Sequence, residues 1–294
     1  MNIGYENSGH LYLETNSFKK LIEKYFKTIN IDNTDNCDII IKSPLSGSTW
    51  NNKKKKYIYW SGESRYVQLS EFHTKYLQIL SFISNESNSI YIPFCLESRH
   101  IYKNRINTNL NREFLIGYCC SNNVEIREQI FSKFVEKVGI KNCASFGTCC
   151  GNYEETKKVC GGDYQGDSLI HCYGKCKFIL ALENTQIDGY VTEKIINAFY
   201  SGSIPIYWGS NNINDLFNKE AFINVDNFEN IDKCIDHIIN MTDEQREFML
   251  NQPIYKEEDL INILNDEYNN KNNNKILEKY EEKIKIFFAD TQDF

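Results

Sequence analysis

A chain of 294 residues is longer than one small module needs, and at about 150 residues per domain it predicts two domains. Hydrophobic residues at 41%, with 14% aromatic and 25% charged, supply a buried core and exclude a disordered tail. Lys plus Arg (33) against Asp plus Glu (40) leaves a formal charge of −7, which argues against a broad nucleic-acid surface and points to small-molecule partners.

The first third reads as alternating helices and strands. Phe18 to Phe26 carries apolar residues at helical spacing, and Cys37–Lys42 and Lys56–Trp60 are short β-rich runs. From Tyr102 to Arg112 the composition turns to Asn, Lys, Arg and Thr without apolar periodicity, as in an exposed connector. A first domain over 1–105 and a second over 112–268 follow. In the second, Phe114–Tyr118 is a strand, and Arg127, Ile130, Phe131, Phe134, Val135 and Val138 share one helix face. Phe178–Leu182 has the unbroken apolar character of a strand covered on both faces. Val191–Tyr200 is a helix that stops at Gly202, and Ser203–Trp208 is the next strand, which completes a βαβ unit. After Asp226 the pattern is helical to the end, broken by an Asn/Lys-rich patch at Asn269 to Lys275, and 269–294 is expected to form a helical tail.

No window offers the roughly 18 apolar residues of a membrane span, and the first residues lack the basic and apolar parts of a signal peptide. A cytoplasmic protein is the expectation. Of the eleven cysteines, six fall between Cys143 and Cys176, and Cys119-Cys120 and Cys149-Cys150 are adjacent pairs. No C-x2-C knuckle occurs. The nearest ligand set is Cys160, Cys172 and Cys176 with His171, so reduced, largely buried thiols are expected and no metal site is assigned.

Ligands of an open parallel sheet collect where strands end and helices begin. Leu182 to Lys194 occupies such a point and carries Asn184, Tyr190, Glu193 and Lys194. A cap at Thr192 and a dipole-matched Glu193 would account for Thr and Glu at a helix start. Lys194 is different, because a cation there is unfavourable unless an anion offsets it; a bound phosphate would do so. Arg127, in the first turn after a strand and on the apolar stripe, also needs a partner, either a diphosphate or a carboxylate such as Glu128.

The run Phe178–Gly209 resembles the donor-binding signature of the α-1,3/4-fucosyltransferase family. Ala221–Phe228 is similar to the block that follows it there, and Ser43–Gly47 and Tyr57–Ser64 carry a fainter likeness. The resemblance, closest to soluble microbial members, implies an α/β protein of two Rossmann-like domains facing each other across a cleft, the GT-B type. It implies GDP-fucose in the second domain, an oligosaccharide or glycoconjugate acceptor in the first, and inversion at the anomeric carbon. Carried over by position, Arg127 and Lys194 hold the diphosphate, Asn184, Tyr190 and Glu193 line the nucleotide and fucose, and Glu63 is the general base. Taken alone, Glu63 is an ordinary turn residue. No Asp-x-Asp triplet occurs in the chain, so no essential metal or other cofactor is expected and the fixed cations must neutralise the leaving diphosphate. The implied activity is α-1,3 or similar transfer to an N-acetylglucosamine-containing glycan. Two alternatives stand beside it: another nucleotide-deoxysugar donor, or a glycan-binding protein without turnover.

Overall fold

The computed structural model describes residues 2–5, 27–28, 37, 39–42, 56–64, 76–86, 88–91, 93–98, 100, 104–106, 111–161 and 166–256. The chain divides into two compact units, Met1–Glu97 with Asp266–Phe294, and Ser98–Asn265. The sequence placed its boundaries at 105, 112 and 268. The helix expected at Phe18 to Phe26, the Asn/Lys-rich patch and the 269–294 tail lie outside the described residues.

The first unit contains β1 (Asn2–Tyr5), β2 (Lys27–Thr28), β3 (Ile39–Lys42), β4 (Lys56–Ser61), β5 (Tyr76–Leu80) and β6 (Ser89–Tyr91). All pairings are parallel, in the order β2-β1-β3-β4-β5-β6. Parallel strands need cover on both faces, and Ile39, Ile41, Ile58, Tyr59 and Ile79 are fully buried accordingly. The runs read from sequence at Cys37–Lys42 and Lys56–Trp60 are β3 and β4.

The second unit is a five-stranded parallel sheet in the order β11-β10-β9-β7-β8. Its strands are β7 (Phe114–Tyr118), β8 (Cys143–Ser145), β9 (Cys176–Leu182), β10 (Ile204–Trp208) and β11 (Ile223–Asn224). The crossover helices are α1 (Glu125–Val138), α2 (Asp167–Tyr173) and α3 (Glu193–Tyr200); α4 (Ile231–Ile239) and α5 (Asp243–Leu250) follow. Helices cover both faces. Phe131, Phe134 and Val135 of α1 and Ile235 and Ile238 of α4 pack with Phe178 and Leu180 on one side. Leu169 and Tyr173 of α2 and Ala198 of α3 pack with Ile179 on the other.

The helix ends follow from local chemistry. Asn230 accepts from the Lys233 amide to start α4, and Thr242 with Gln245 forms a capping box at α5. α1, α2 and α3 differ, because none has a side-chain cap. The bare N-termini of α1 and α3 stand at the carboxyl ends of the central strands.

Strand order decides where these ends converge. From β7 the chain runs outward to β8, then returns past β7 to β9, so the winding reverses between β7 and β9. That reversal opens a crevice beyond the carboxyl ends of the two strands, the usual ligand position in such sheets.

Candidate functional site

Arg127 and Asn184 meet at this crevice. Arg127 is the third residue of α1 and is 2% exposed. Its Nη1 donates to Asn184 Oδ1 at 2.6 Å and its Nη2 to the Asn122 carbonyl at 2.5 Å. Asn122 follows β7 and Asn184 follows β9, so one guanidinium ties the two loops that flank the reversal. Both acceptors are neutral. Glu128, the carboxylate next to Arg127 in sequence, instead accepts from the Tyr118 hydroxyl at 2.6 Å and the Gly151 amide at 2.8 Å. Among the described residues no carboxylate lies within ion-pair distance of Arg127, and its Nε is buried without a hydrogen-bond partner. A buried cation in that condition is costly and calls for an anion.

Lys194 answers differently from the sequence expectation that only a bound anion could offset it. Its Nζ lies 3.1 Å from Glu183 Oε2 and donates to Thr192 Oγ1 at 2.8 Å. Glu193 stands 3.9 Å away. The offsetting anion is therefore Glu183, fully buried, immediately after β9. Burial alone would lower the Lys194 pKa, but the Glu183 and Glu193 carboxylates outweigh it and raise it, so the ammonium stays charged. Burial pushes the Glu183 carboxyl up against the pull of Lys194. The side chain of Lys194 retains 22% exposure, which leaves one side open for a further anion.

Glu183 also accounts for the bare start of α3. Thr192 holds the cap position, but its hydroxyl donates to Glu183 at 2.8 and 3.0 Å, and its amide donates to the same carboxylate at 2.7 Å. No side chain caps the first-turn N–H groups, and the cap reading of Thr192 fails. These amides carry the positive end of the helix. Gly209 makes room for the arrangement: a Cβ there would lie 2.6 Å from Glu183 Cγ. The sequence reading gave Glu183 no role. A carboxylate directly after a strand buried on both faces must have a partner nearby, and that rule was the available signal.

The loop bearing Asn184 and Tyr190 is laced to the segment after β10. The Gly189 amide donates to Ser210 Oγ and Asn212 Oδ1, both at 2.8 Å, and Asn211 Nδ2 donates to Asp188 at 2.9 Å. The Tyr207 hydroxyl accepts from the Ser210 amide at 2.9 Å and donates to the Tyr190 carbonyl at 3.5 Å. Tyr190 is buried, and Glu193 keeps 9% exposure at the head of α3. Arg127, Asn184, Tyr190, Glu193 and Lys194 thus all belong to the elements around the carboxyl ends of β7, β9 and β10.

Glu63 belongs to the first unit, in the turn after β4. Its amide donates to Ser61 Oγ at 3.2 Å, and its carbonyl accepts from Ser61 Oγ at 2.9 Å and Ser81 Oγ at 3.4 Å. Two serines at the carboxyl ends of β4 and β5 thereby fix its backbone. The Tyr59 phenol is pushed up to about 12 by burial, opposed by a hydrogen bond with Ser61 and reinforced by the negative Glu63 carboxylate.

All eleven cysteines are free thiols, nine buried and Cys119 and Cys160 partly so. Among the described residues, the group whose ligand atoms converge is Cys120, Glu128 and Cys149, and not the set around His171. No described helix is long and apolar enough to cross a membrane.

Residues 109–253 match the family described as glycosyltransferase family 10 (fucosyltransferase), C-terminal part. A protein of Acanthamoeba polyphaga mimivirus assigned to the fucosyltransferases is 30% identical over 181 residues, covering 59% of this chain and 30% of that protein. An α-(1,3)-fucosyltransferase of Helicobacter pylori is 56% identical over 62 residues, covering 21% of this chain and 13% of its own length. The chain therefore aligns with less than a third of either relative. A solved α1,3-fucosyltransferase with GDP superposes with a TM-score of 0.66 at 19% identity, over 86% of this chain and 81% of that one. At that identity the likeness defines the fold, two Rossmann-like units of the GT-B type.

Proposed function

Because residues 109–253 match glycosyltransferase family 10, the fucosyltransferases, we propose that this chain transfers L-fucose from GDP-β-L-fucose to a hydroxyl of an N-acetylglucosamine-containing glycan, in α-1,3 or a similar linkage. The observation that carries this reading is Arg127: a buried guanidinium at the winding reversal, without a carboxylate partner among the described residues, bonded to Asn184 in the loop that leads to the uncapped start of α3. A nucleoside diphosphate supplies the missing charge. Its phosphate oxygens accept from Arg127 Nε, the first-turn amides of α3 and the open side of Lys194. Asn184, Tyr190 and Glu193 line the nucleotide and the fucose. Glu193 is acceptor-only when ionised and suits ribose or sugar hydroxyls.

In this scheme Glu63 removes the proton of the acceptor hydroxyl as the new bond forms, and the configuration at the anomeric carbon inverts. The departing GDP leaves as a diphosphate whose growing charge is met by Arg127, Lys194 and the helix start, with no essential metal at the diphosphate. The test is direct. Purified protein is incubated with GDP-fucose and lactosamine-type acceptors, with and without added magnesium or manganese, and the product is identified by mass and NMR. One added α-linked fucose, formed equally without added divalent ion, is the expected result. Stabilisation by UDP- or dTDP-sugars but not by GDP-fucose in a thermal-shift comparison would overturn the donor assignment.

A further inference from the structure

The thiols of Cys120 and Cys149 and a carboxylate oxygen of Glu128 all lie within 4.8 Å of one another. They come from three segments: the loop after β7, the loop after β8, and the first turn of α1. We infer that they form a binding site for a thiophilic divalent cation, Zn(II) above all, which clamps the loop between β7 and α1. A tetrahedral zinc with Zn–S of about 2.3 Å and Zn–O of about 2.0–2.2 Å needs its ligand atoms roughly 3.3–3.8 Å apart, so a further approach of at most about 1.5 Å closes the set. Water fills the fourth position.

The backbone already holds the ligands in place. The Cys149 amide donates to the Cys120 carbonyl at 2.9 Å, the Phe146 amide to the Tyr118 carbonyl at 2.8 Å, and Thr148 Oγ1 to the Ser121 carbonyl at 3.1 Å. Gly147 permits this approach, since a Cβ there would fall 2.0 Å from the Cys120 carbonyl oxygen. Both thiols are buried, at 6% and 9% exposure. The carboxylate is oriented as metal-bound carboxylates are: the Tyr118 hydroxyl and the Gly151 amide each donate to one of its oxygens and leave lone pairs for a cation. Tyr118 is itself fixed by stacking on Phe131.

Binding replaces the two thiol protons, which pass to solvent, by bonds from two thiolates to the metal. The Cys120 thiol now donates to the Asn122 carbonyl at 3.0 Å, the same oxygen that accepts from Arg127. Metal binding removes that thiol donor and leaves the carbonyl to Arg127. The site is independent of the donor reading, and its test needs no turnover.

Reduced, metal-stripped protein is titrated with Zn(II) against a chromophoric chelator, and with Cd(II) while the thiolate-to-metal absorption band is followed. One equivalent should bind tightly with release of about two protons per metal. Cys120→Ser and Cys149→Ser should each abolish this binding, whereas Cys160→Ser should retain it. Tyr118→Phe, which keeps the ring and loses only the hydroxyl on Glu128, should weaken binding about 10- to 100-fold. Each variant's circular dichroism is compared with the parent. Failure of the parent to bind one equivalent, undiminished binding by Cys120→Ser, or a Cys120–Cys149 disulfide in protein kept under a thiol reductant would overturn the proposal.

Discussion

Glu183→Gln tests whether one buried carboxylate organises both the cation and the helix start. Glutamine has the same shape, and its oxygen can still accept from the Thr192 amide and hydroxyl, now at 2.7–3.0 Å. What it cannot do is face Lys194 Nζ at 3.1 Å with a negative charge, and its NH2 group sets donor against donor. Breaking a fully buried ion pair costs about 3–5 kcal/mol. Lys194 keeps 22% exposure and has Glu193 at 3.9 Å, so the loss of a charged hydrogen bond, about 1.5–3 kcal/mol, is the better measure. For a unit of this size that corresponds to a melting temperature about 3–12 °C lower, at roughly 2–4 °C per kcal/mol. Scanning calorimetry gives the shift, and hydrogen exchange over residues 183–195 gives its location. A companion cycle with Lys194→Met should show a coupling of about 1 kcal/mol or more. If Glu183→Gln melts with the parent and the two substitutions add without coupling, Glu183 does not hold Lys194 and the account of the helix start is wrong.

Arg127→Met should change the ligand-free melting temperature little, because the lost hydrogen bonds are offset by removal of an uncompensated buried charge. It should, however, erase most of the stabilisation by GDP, which in the parent is about 2.7 kcal/mol at a hundred times the Kd; a full GDP shift in the variant would exclude Arg127 as a diphosphate ligand. Glu63→Gln should cut turnover about 10²- to 10⁴-fold while GDP-fucose still raises the melting temperature, and near-parental turnover would place the base elsewhere. Alkaline conditions should destabilise the fold. Burial pushes the Cys143 and Cys234 thiols up to about 12, so above the unfolded thiol value of about 8.5 the unfolded chain binds fewer protons than the folded one. Stability is then full below that value and falls by about 1.4 kcal/mol per pH unit for each such thiol as pH rises toward 12. Urea midpoints measured under reductant from pH 8 to 11 should decline steadily, and a flat profile would contradict the burial of these groups.

Periodicity and spacing determined much of the second unit. Phe114–Tyr118, the apolar face of α1, the unbroken run of β9 and the following helix and strand are each local patterns, and each forms the element its pattern dictates. The same spacing placed Arg127 in the first turn of α1, facing the sheet end, because an arginine on an apolar stripe has nowhere else to point. The run Phe178–Gly209, being contiguous, was also legible as a likeness to the fucosyltransferases, and with it the two Rossmann-like units. Short strands such as β8 and β11, at three and two residues, left no comparable trace, since they exist only through pairing with neighbours. The order of the strands was likewise out of reach, and it is the order that brings the β7 and β9 loops side by side and lets Arg127 join Asn122 to Asn184. Tertiary structure alone decided what opposes each buried charge. Lys194 looked in need of an external anion because its neighbours along the chain were the only ones visible. Glu183, eleven residues earlier, reaches it across the turn between β9 and α3, while Glu128, adjacent to Arg127 in sequence, turns away to Tyr118 and Gly151. Charge pairing acts over a few ångströms of space, and separation along the chain measures that distance only where the backbone is regular.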